Sequence, residues 1–105
     1  MILLTRDPAR NILHLLNFKN NYMKKVVIYT TPTCGYCKLA KALFQEKGIA
    51  YSEKDVAADS AAADEMIQKS GQMGVPVITI SEQDGSNEKL IIGFDKAGIL
   101  AALGI

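Results

Sequence analysis

Thr30-Thr31-Pro32-Thr33-Cys34-Gly35-Tyr36-Cys37-Lys38 is the stretch whose reading decides the fold. It follows the apolar run Val26-Val27-Ile28-Tyr29 and opens a segment with helical periodicity. It also holds both cysteines of the chain, three positions apart. A strand that turns through Pro32 into a helix places both thiols at the helix start. Thiols at that spacing can close a disulfide with each other and open it again.

Outward from this turn the pattern is orderly. Val26–Tyr29 is short and rich in β-branched residues, and reads as a buried central strand. Gly35–Lys47 reads as a helix with Leu39, Ala40, Leu43 and Phe44 as its apolar stripe and Gly48 as its stop. Ile49–Val56 reads as a second strand, more polar and so nearer an edge. Asp59 or Ser60 caps a helix that runs through Ala62, Ala63, Met66 and Ile67 and ends at Gly71. Val75–Ile80 is a third strand, approached through Pro76, a residue tolerated at a strand start and not in its middle. Gln83-Asp84-Gly85-Ser86 is a turn cluster, so Lys89–Ile92 is expected to pair back as a hairpin. Asp95 begins a last helix that turns Ile99, Leu100 and Leu103 to the sheet. The order β-α-β-α-β-β-α predicts an α/β fold with a four-stranded mixed sheet flanked by three helices. Its first two strands are parallel through a right-handed crossover, and its last two are antiparallel.

The chain of 105 residues suits one domain, with 49% hydrophobic residues to build a core. Residues 1–22 differ in character. They hold Arg6, Arg10 and Lys19 against the single acid Asp7, leaving nine basic and ten acidic residues in 23–105. Asp7-Pro8 reads as a helix start, followed by Ala9, Ile12, Leu13 and Leu16 on one face. His14 and Asn17 interrupt the apolar part, and no small-residue cleavage site follows, so a secretory signal fits poorly. The segment reads as an N-terminal extension, either an amphipathic helix or a stretch outside the native domain, which then comprises residues 23–105. The formal net charge is +1 and there is no basic run or tryptophan, so a nucleic-acid partner is not expected. No run reaches the roughly 18 apolar residues of a membrane span. A cytoplasmic monomer without a membrane partner is the expectation.

Cys34, if it takes the helix N-cap, turns its sulfur to the free N–H groups of Tyr36 and Cys37. The positive end of the helix dipole acts in the same direction. Both favour a thiolate, which brings Cys34 from about 8.5 into roughly the 3.5–7.5 range of such positions. Cys37, one turn in, is expected to be less exposed and to lie on the same face. Gly35 lets another backbone approach, and Tyr36 offers a flat apolar wall beside the sulfur. A zinc site needs a second Cys or His pair, and the chain has none, so no metal is expected. A cysteine hydrolase lacks a histidine near the thiols.

Three pieces together resemble the glutaredoxin family of the thioredoxin-like superfamily: Tyr29–Cys37 with its Cys-Gly-Tyr-Cys centre, Gly74-Val75-Pro76, and Gly93-Phe94-Asp95. The resemblance spans about residues 23–105 and implies a thioredoxin-like, glutaredoxin-type sheet. It implies a thiol–disulfide oxidoreductase in which Cys34 attacks and Cys37 resolves, acting on protein disulfides or glutathione mixed disulfides. It implies a cis Pro76 that sets the Val75 backbone to pair with substrate or with the cysteinyl part of glutathione. Thr31 and Tyr36 would flank the bound substrate. Gly93, Phe94 and Asp95 with the following helix start would receive a carboxylate. No tightly bound cofactor is implied; glutathione or thioredoxin reductase would supply electrons. Many members carry a Lys where Thr31 stands, a basic residue where Met73 stands and a second acid where Lys96 stands. These differences bring the chain closer to the short redoxins re-reduced by thioredoxin reductase. The alternative implied by Cys-Gly-Tyr-Cys is a dimeric carrier holding an iron–sulfur cluster through two Cys34 and two glutathiones.

Overall fold

A computed structural model describes residues 24–105. The helix start at Asp7-Pro8 and the extension read in residues 1–22 lie outside the described residues. Strand β1 runs Lys24–Thr30, and Val26 to Thr30 are all buried. Its first two residues extend the predicted run because they find partners: Lys24 pairs with Glu82 and Lys25 with Ser81. Helix α1 is Gly35–Glu46, β2 is Ser52–Asp55, α2 is Ser60–Ser70, β3 is Val77–Glu82, β4 is Lys89–Ile92 and α3 is Lys96–Leu103. The sheet order is β2-β1-β3-β4. β1 is parallel to β2 and antiparallel to β3, and β4 returns antiparallel to β3. The predicted architecture is the one observed. No helix among the described residues is long and apolar enough to cross a membrane.

The alternation of side chains along β1 and β3 divides the interior into two layers. Val26, Ile28, Ile78 and Ile80 face the larger core, where Ala40, Leu43 and Phe44 of α1 meet Ile99 and Leu103 of α3. Val27, Tyr29 and Val77 face the other side, where Met66 of α2 covers them. Each large apolar side chain buried in this way contributes roughly 1.5–3 kcal/mol. The α1–α3 layer holds eleven buried residues and the α2 layer four, so α1 packs on the larger core.

The second and third strands also differ from the sequence reading. The second strand was expected over Ile49–Val56 and is only Ser52–Asp55. Ile49 belongs to the end of α1 instead. Gly48 takes φ +69°, its N–H donates to the Gln45 carbonyl at 3.2 Å, and the Ile49 N–H donates to the Phe44 carbonyl at 2.8 Å. This is a Schellman ending, in which the apolar residue after the glycine folds back onto the helix. The third strand was expected from Val75 and begins at Val77, because the Val75–Pro76 bond is cis and turns the chain before pairing starts. It extends to Glu82 through its pairing with Lys24 and Lys25. Leu39, placed in the apolar stripe of α1, is 50% exposed. Asp59 and Asp95 cap α2 and α3 as expected.

β2 and β4 form the two edges of the sheet. β2 is Ser-Glu-Lys-Asp, whereas β4 leaves Leu90 and Ile92 exposed.

The Schellman ending makes a simple prediction. Gly48→Ala keeps open space around the new methyl but forces an L-residue into left-handed backbone. It is expected to cost about 1–2 kcal/mol, read as a lowered urea midpoint. An unchanged midpoint would show that this turn adds nothing to stability.

Candidate active site

The reactive end is built by a tight turn. β1 stops at Thr30, and the Cys34 N–H donates back to the Thr31 carbonyl at 3.3 Å, closing a turn with Pro32 at its second position. Cys34 then takes an extended conformation, φ −85° and ψ 112°, as the N-cap of α1. The Cys37 N–H donates to Cys34 Sγ at 3.0 Å. Of the two donors expected at this sulfur, Cys37 makes the bond that is found. Cys34 and Cys37 are joined in a disulfide, with Cα atoms 5.2 Å apart. Cys37 is 1% exposed and Cys34 is partly open to solvent. Cys34 is therefore the more accessible of the two sulfurs. Thr31 is partly buried, Tyr36 is 65% exposed, and Tyr36, Leu39 and Gly35 line a shallow apolar cleft.

Register brings the other two pieces to the same end. Tyr29 pairs with Val77, so the buried Pro76 lies beside the end of β1, and Val75 precedes it through the cis bond. The Gly93 N–H donates to the Pro76 carbonyl at 2.8 Å, with Gly93 at φ +81°. Phe94 is partly buried against the larger core. Asp95 accepts the Gly98 N–H at 3.0 Å as the cap of α3. A Cβ at Gly98 would stand 2.6 Å from Asp95 Oδ2, so a larger residue there would make the Asp95 carboxylate shift. The cap engages one Asp95 oxygen and one N–H of the first turn. Among the described residues, no three of His, Cys, Asp and Glu converge as a metal site would need.

Two polar networks anchor this end and were not read from the sequence. Tyr29 Oη donates to Glu65 Oε2 at 2.7 Å, and Lys54 Nζ bonds Glu65 Oε1 at 2.8 Å. On the opposite face Thr30 Oγ1 donates to Glu53 Oε2 at 2.7 Å, and Lys41 Nζ reaches the same oxygen at 2.9 Å. Lys41 lies one turn after Cys37, so this second network ties the reactive helix to β2. Burial pushes the Tyr29 hydroxyl well above its ordinary value, and the Glu65 carboxylate it bonds adds to this. Lys54, then Tyr29, hold Glu65 below the ordinary carboxylate range. Lys41, then Thr30, do the same for Glu53. The available signal was the alternation of Glu53 and Lys54 on a strand parallel to Tyr29 and Thr30, which sends one charge to each face.

A family model for glutaredoxin matches residues 26–84, more than half of the chain. The chain belongs to the glutaredoxin family. The matched span contains Cys34, Cys37, Val75 and Pro76, while Gly93–Asp95 lies beyond it. Glutaredoxin 3 of Escherichia coli K12 is 44% identical over 61 residues, covering 58% of this chain and 74% of that one. A glutaredoxin-like 8.6 kDa protein of the Clostridium pasteurianum rubredoxin operon is 43% identical over 74 residues, covering 70% and 91%. The crystal structure of the glutaredoxin from Methanosarcina mazei Go1 superposes with a TM-score of 0.64 at 26% identity, covering 77% of this chain and 79% of that one. Family and fold, with the Cys34–Cys37 pair, make this glutaredoxin a thiol–disulfide oxidoreductase.

The Glu53 network carries a pH signature. A depressed folded-state pKa contributes stability that is complete above the ordinary glutamate pKa of 4.5 and is lost as pH falls through the folded value. Urea midpoints followed downward from that pH are expected to fall more steeply for the native chain than for Glu53→Gln. Parallel slopes would show that the network has no part in acid lability.

Proposed function

We propose that this chain reduces disulfides in protein substrates by dithiol exchange, with Cys34 attacking and Cys37 resolving. The observation that carries the proposal is the N-cap position of Cys34, whose Sγ accepts the Cys37 N–H at 3.0 Å. In the reduced chain the same donor and the positive helix end favour the Cys34 thiolate, the attacking species. The Cys34 thiolate attacks one sulfur of the substrate disulfide. A Cys34–substrate S–S bond forms as the substrate S–S bond breaks, and the other sulfur leaves as thiolate. The Cys37 thiolate then attacks Cys34 Sγ, closing the intramolecular disulfide and releasing the second sulfur. The substrate gains two electrons and the chain loses two. Burial of Cys37 suits this order, because the resolving sulfur needs access only to Cys34.

Val75 before cis-Pro76 is proposed to pair its backbone with the substrate main chain. Gly93, Phe94 and the start of α3 are proposed to receive a carboxylate, with Thr31 and Tyr36 flanking the bound peptide. An external reductant must reset the pair. Charge-assisted bonds to the carboxylates of glutathione are the strong ones. Thr31 and Met73 are both uncharged, and Lys96, at the first position of α3, stands where a second acid would receive the γ-glutamyl ammonium. These residues favour thioredoxin reductase over glutathione as the donor.

Cys34→Ser is expected to remove disulfide-reductase turnover, and Cys37→Ser to accumulate a covalent adduct visible by mass. Turnover retained by Cys34→Ser would overturn the mechanism. Reduction coupled to NADPH and thioredoxin reductase is expected to outpace reduction coupled to NADPH, glutathione reductase and glutathione. The reverse order would assign the donor to glutathione.

A further inference from the structure

The face of the sheet away from α1 carries a cavity of about 360 Å³. Its floor follows from the register. Val27 lies opposite Thr79 and Lys25 opposite Ser81, so all four turn to the α2 side of the sheet. Met66 of α2 covers Val27, Tyr29 and Val77 there. The cavity occupies the rest of that face, between the sheet, α2 and the hairpin residues Gly85 and Glu88. Two ion pairs frame it. Lys54 of β2 meets Glu65 of α2 at 2.8 Å, and Lys69 of α2 meets Glu88 of the hairpin at 2.9 Å. Its volume falls within the roughly 300–1,000 Å³ of small-molecule sites.

The polar groups around this cavity are unevenly matched. Thr79 lines it and is 3% exposed, and among the described residues its hydroxyl makes no hydrogen bond. A hydroxyl withdrawn from water without a partner marks a place where a ligand atom belongs. The acceptors, by contrast, are already engaged. Glu65 receives Tyr29 on one oxygen and Lys54 on the other, and Glu88 receives Lys69 on both. A lysine ammonium has three N–H donors. Lys54 gives one to Glu65, Lys69 gives two to Glu88, and Lys25 forms no ion pair among the described residues. Three lysines face two glutamates, and the donors left over come from β1, β2, β3 and α2. Donors from four directions suit a tetrahedral oxyanion better than a planar carboxylate, and an ammonium serves a phosphate well as a point charge.

We infer that this cavity binds the phosphoryl group of a small molecule, held by the Lys25 ammonium and the Thr79 hydroxyl. The site lies on the opposite face of the sheet from α1 and does not depend on the disulfide exchange proposed for Cys34.

The test titrates the full chain with inorganic phosphate and with glycerol 3-phosphate, each against sodium chloride at matched ionic strength, and follows backbone amides by NMR. Saturable shifts are expected at Lys25, Thr79 and Ser81. Lys25→Gln and Thr79→Val, which keeps the shape of the side chain and removes its hydroxyl, are each expected to weaken binding about tenfold, the scale of one charge-assisted hydrogen bond. Tighter binding of glycerol 3-phosphate would assign the site to phosphorylated metabolites, and tighter binding of phosphate to the free ion. Shifts no different from those in chloride, or binding that either variant leaves unchanged, would overturn the inference.

Discussion

The pairing of Tyr29 with Val77 is the constraint on which the reactive end depends. It fixes where β1 stops and where β3 starts, and so sets the Cys34 turn beside Pro76. It cannot slip. β1 is buried on both faces, and a shift of one residue would turn Val27 and Tyr29 into the α1–α3 layer and Ile28 into the α2 layer. Gly93 follows from the same register, since Val77 also pairs with Ile92 and the Pro76 carbonyl then receives the Gly93 N–H. Three segments far apart in the chain meet because one strand pair leaves them no alternative.

Within that frame the two cysteines differ by placement alone. Cys34 sits in extended backbone at a helix start, partly open, with a main-chain donor on its sulfur. Cys37 is one turn further along and buried. The division of labour proposed for them needs no further residue to impose it. What the surroundings supply is rigidity: Lys41 and Glu53 hold α1 to β2, and Glu65 and Lys54 hold α2 to β1 and β2. Lys–carboxylate pairs this exposed are weak by themselves. Here each carboxylate also accepts a hydroxyl from the last turnward residues of β1, which makes both pairs part of the frame.

Much of this was legible in the residues. The strand before Cys34, the caps at Asp59 and Asp95, the stops at Gly48 and Gly71 and the hairpin at Gln83–Ser86 all have local causes, and local causes leave a pattern. The misplaced boundaries have causes of another kind. Ile49 is apolar and follows a glycine, which fits a strand start as well as a helix ending. Only its bond back to Phe44 separates the two. Pro76 suits a strand start when trans, and its cis geometry followed from the family resemblance rather than from the residues around it. Leu39 has the right spacing for the core, yet it lies beside the exposed Tyr36 in the cleft at the helix start and stays half exposed. The Glu53 and Glu65 networks join residues more than ten positions apart, so periodicity along one element does not reveal them.

The two edges of the sheet are not alike in what they invite. Along β2, Glu53 and Lys54 would have to surrender their partners and their water for another strand to align there, so that side is guarded. β4 presents Leu90 and Ile92 with only Lys89 as a deterrent. Crowding or partial unfolding would therefore recruit neighbouring chains through β4. A single charge introduced at position 90 or 92 is the change that would make the sheet equally unsociable on both sides.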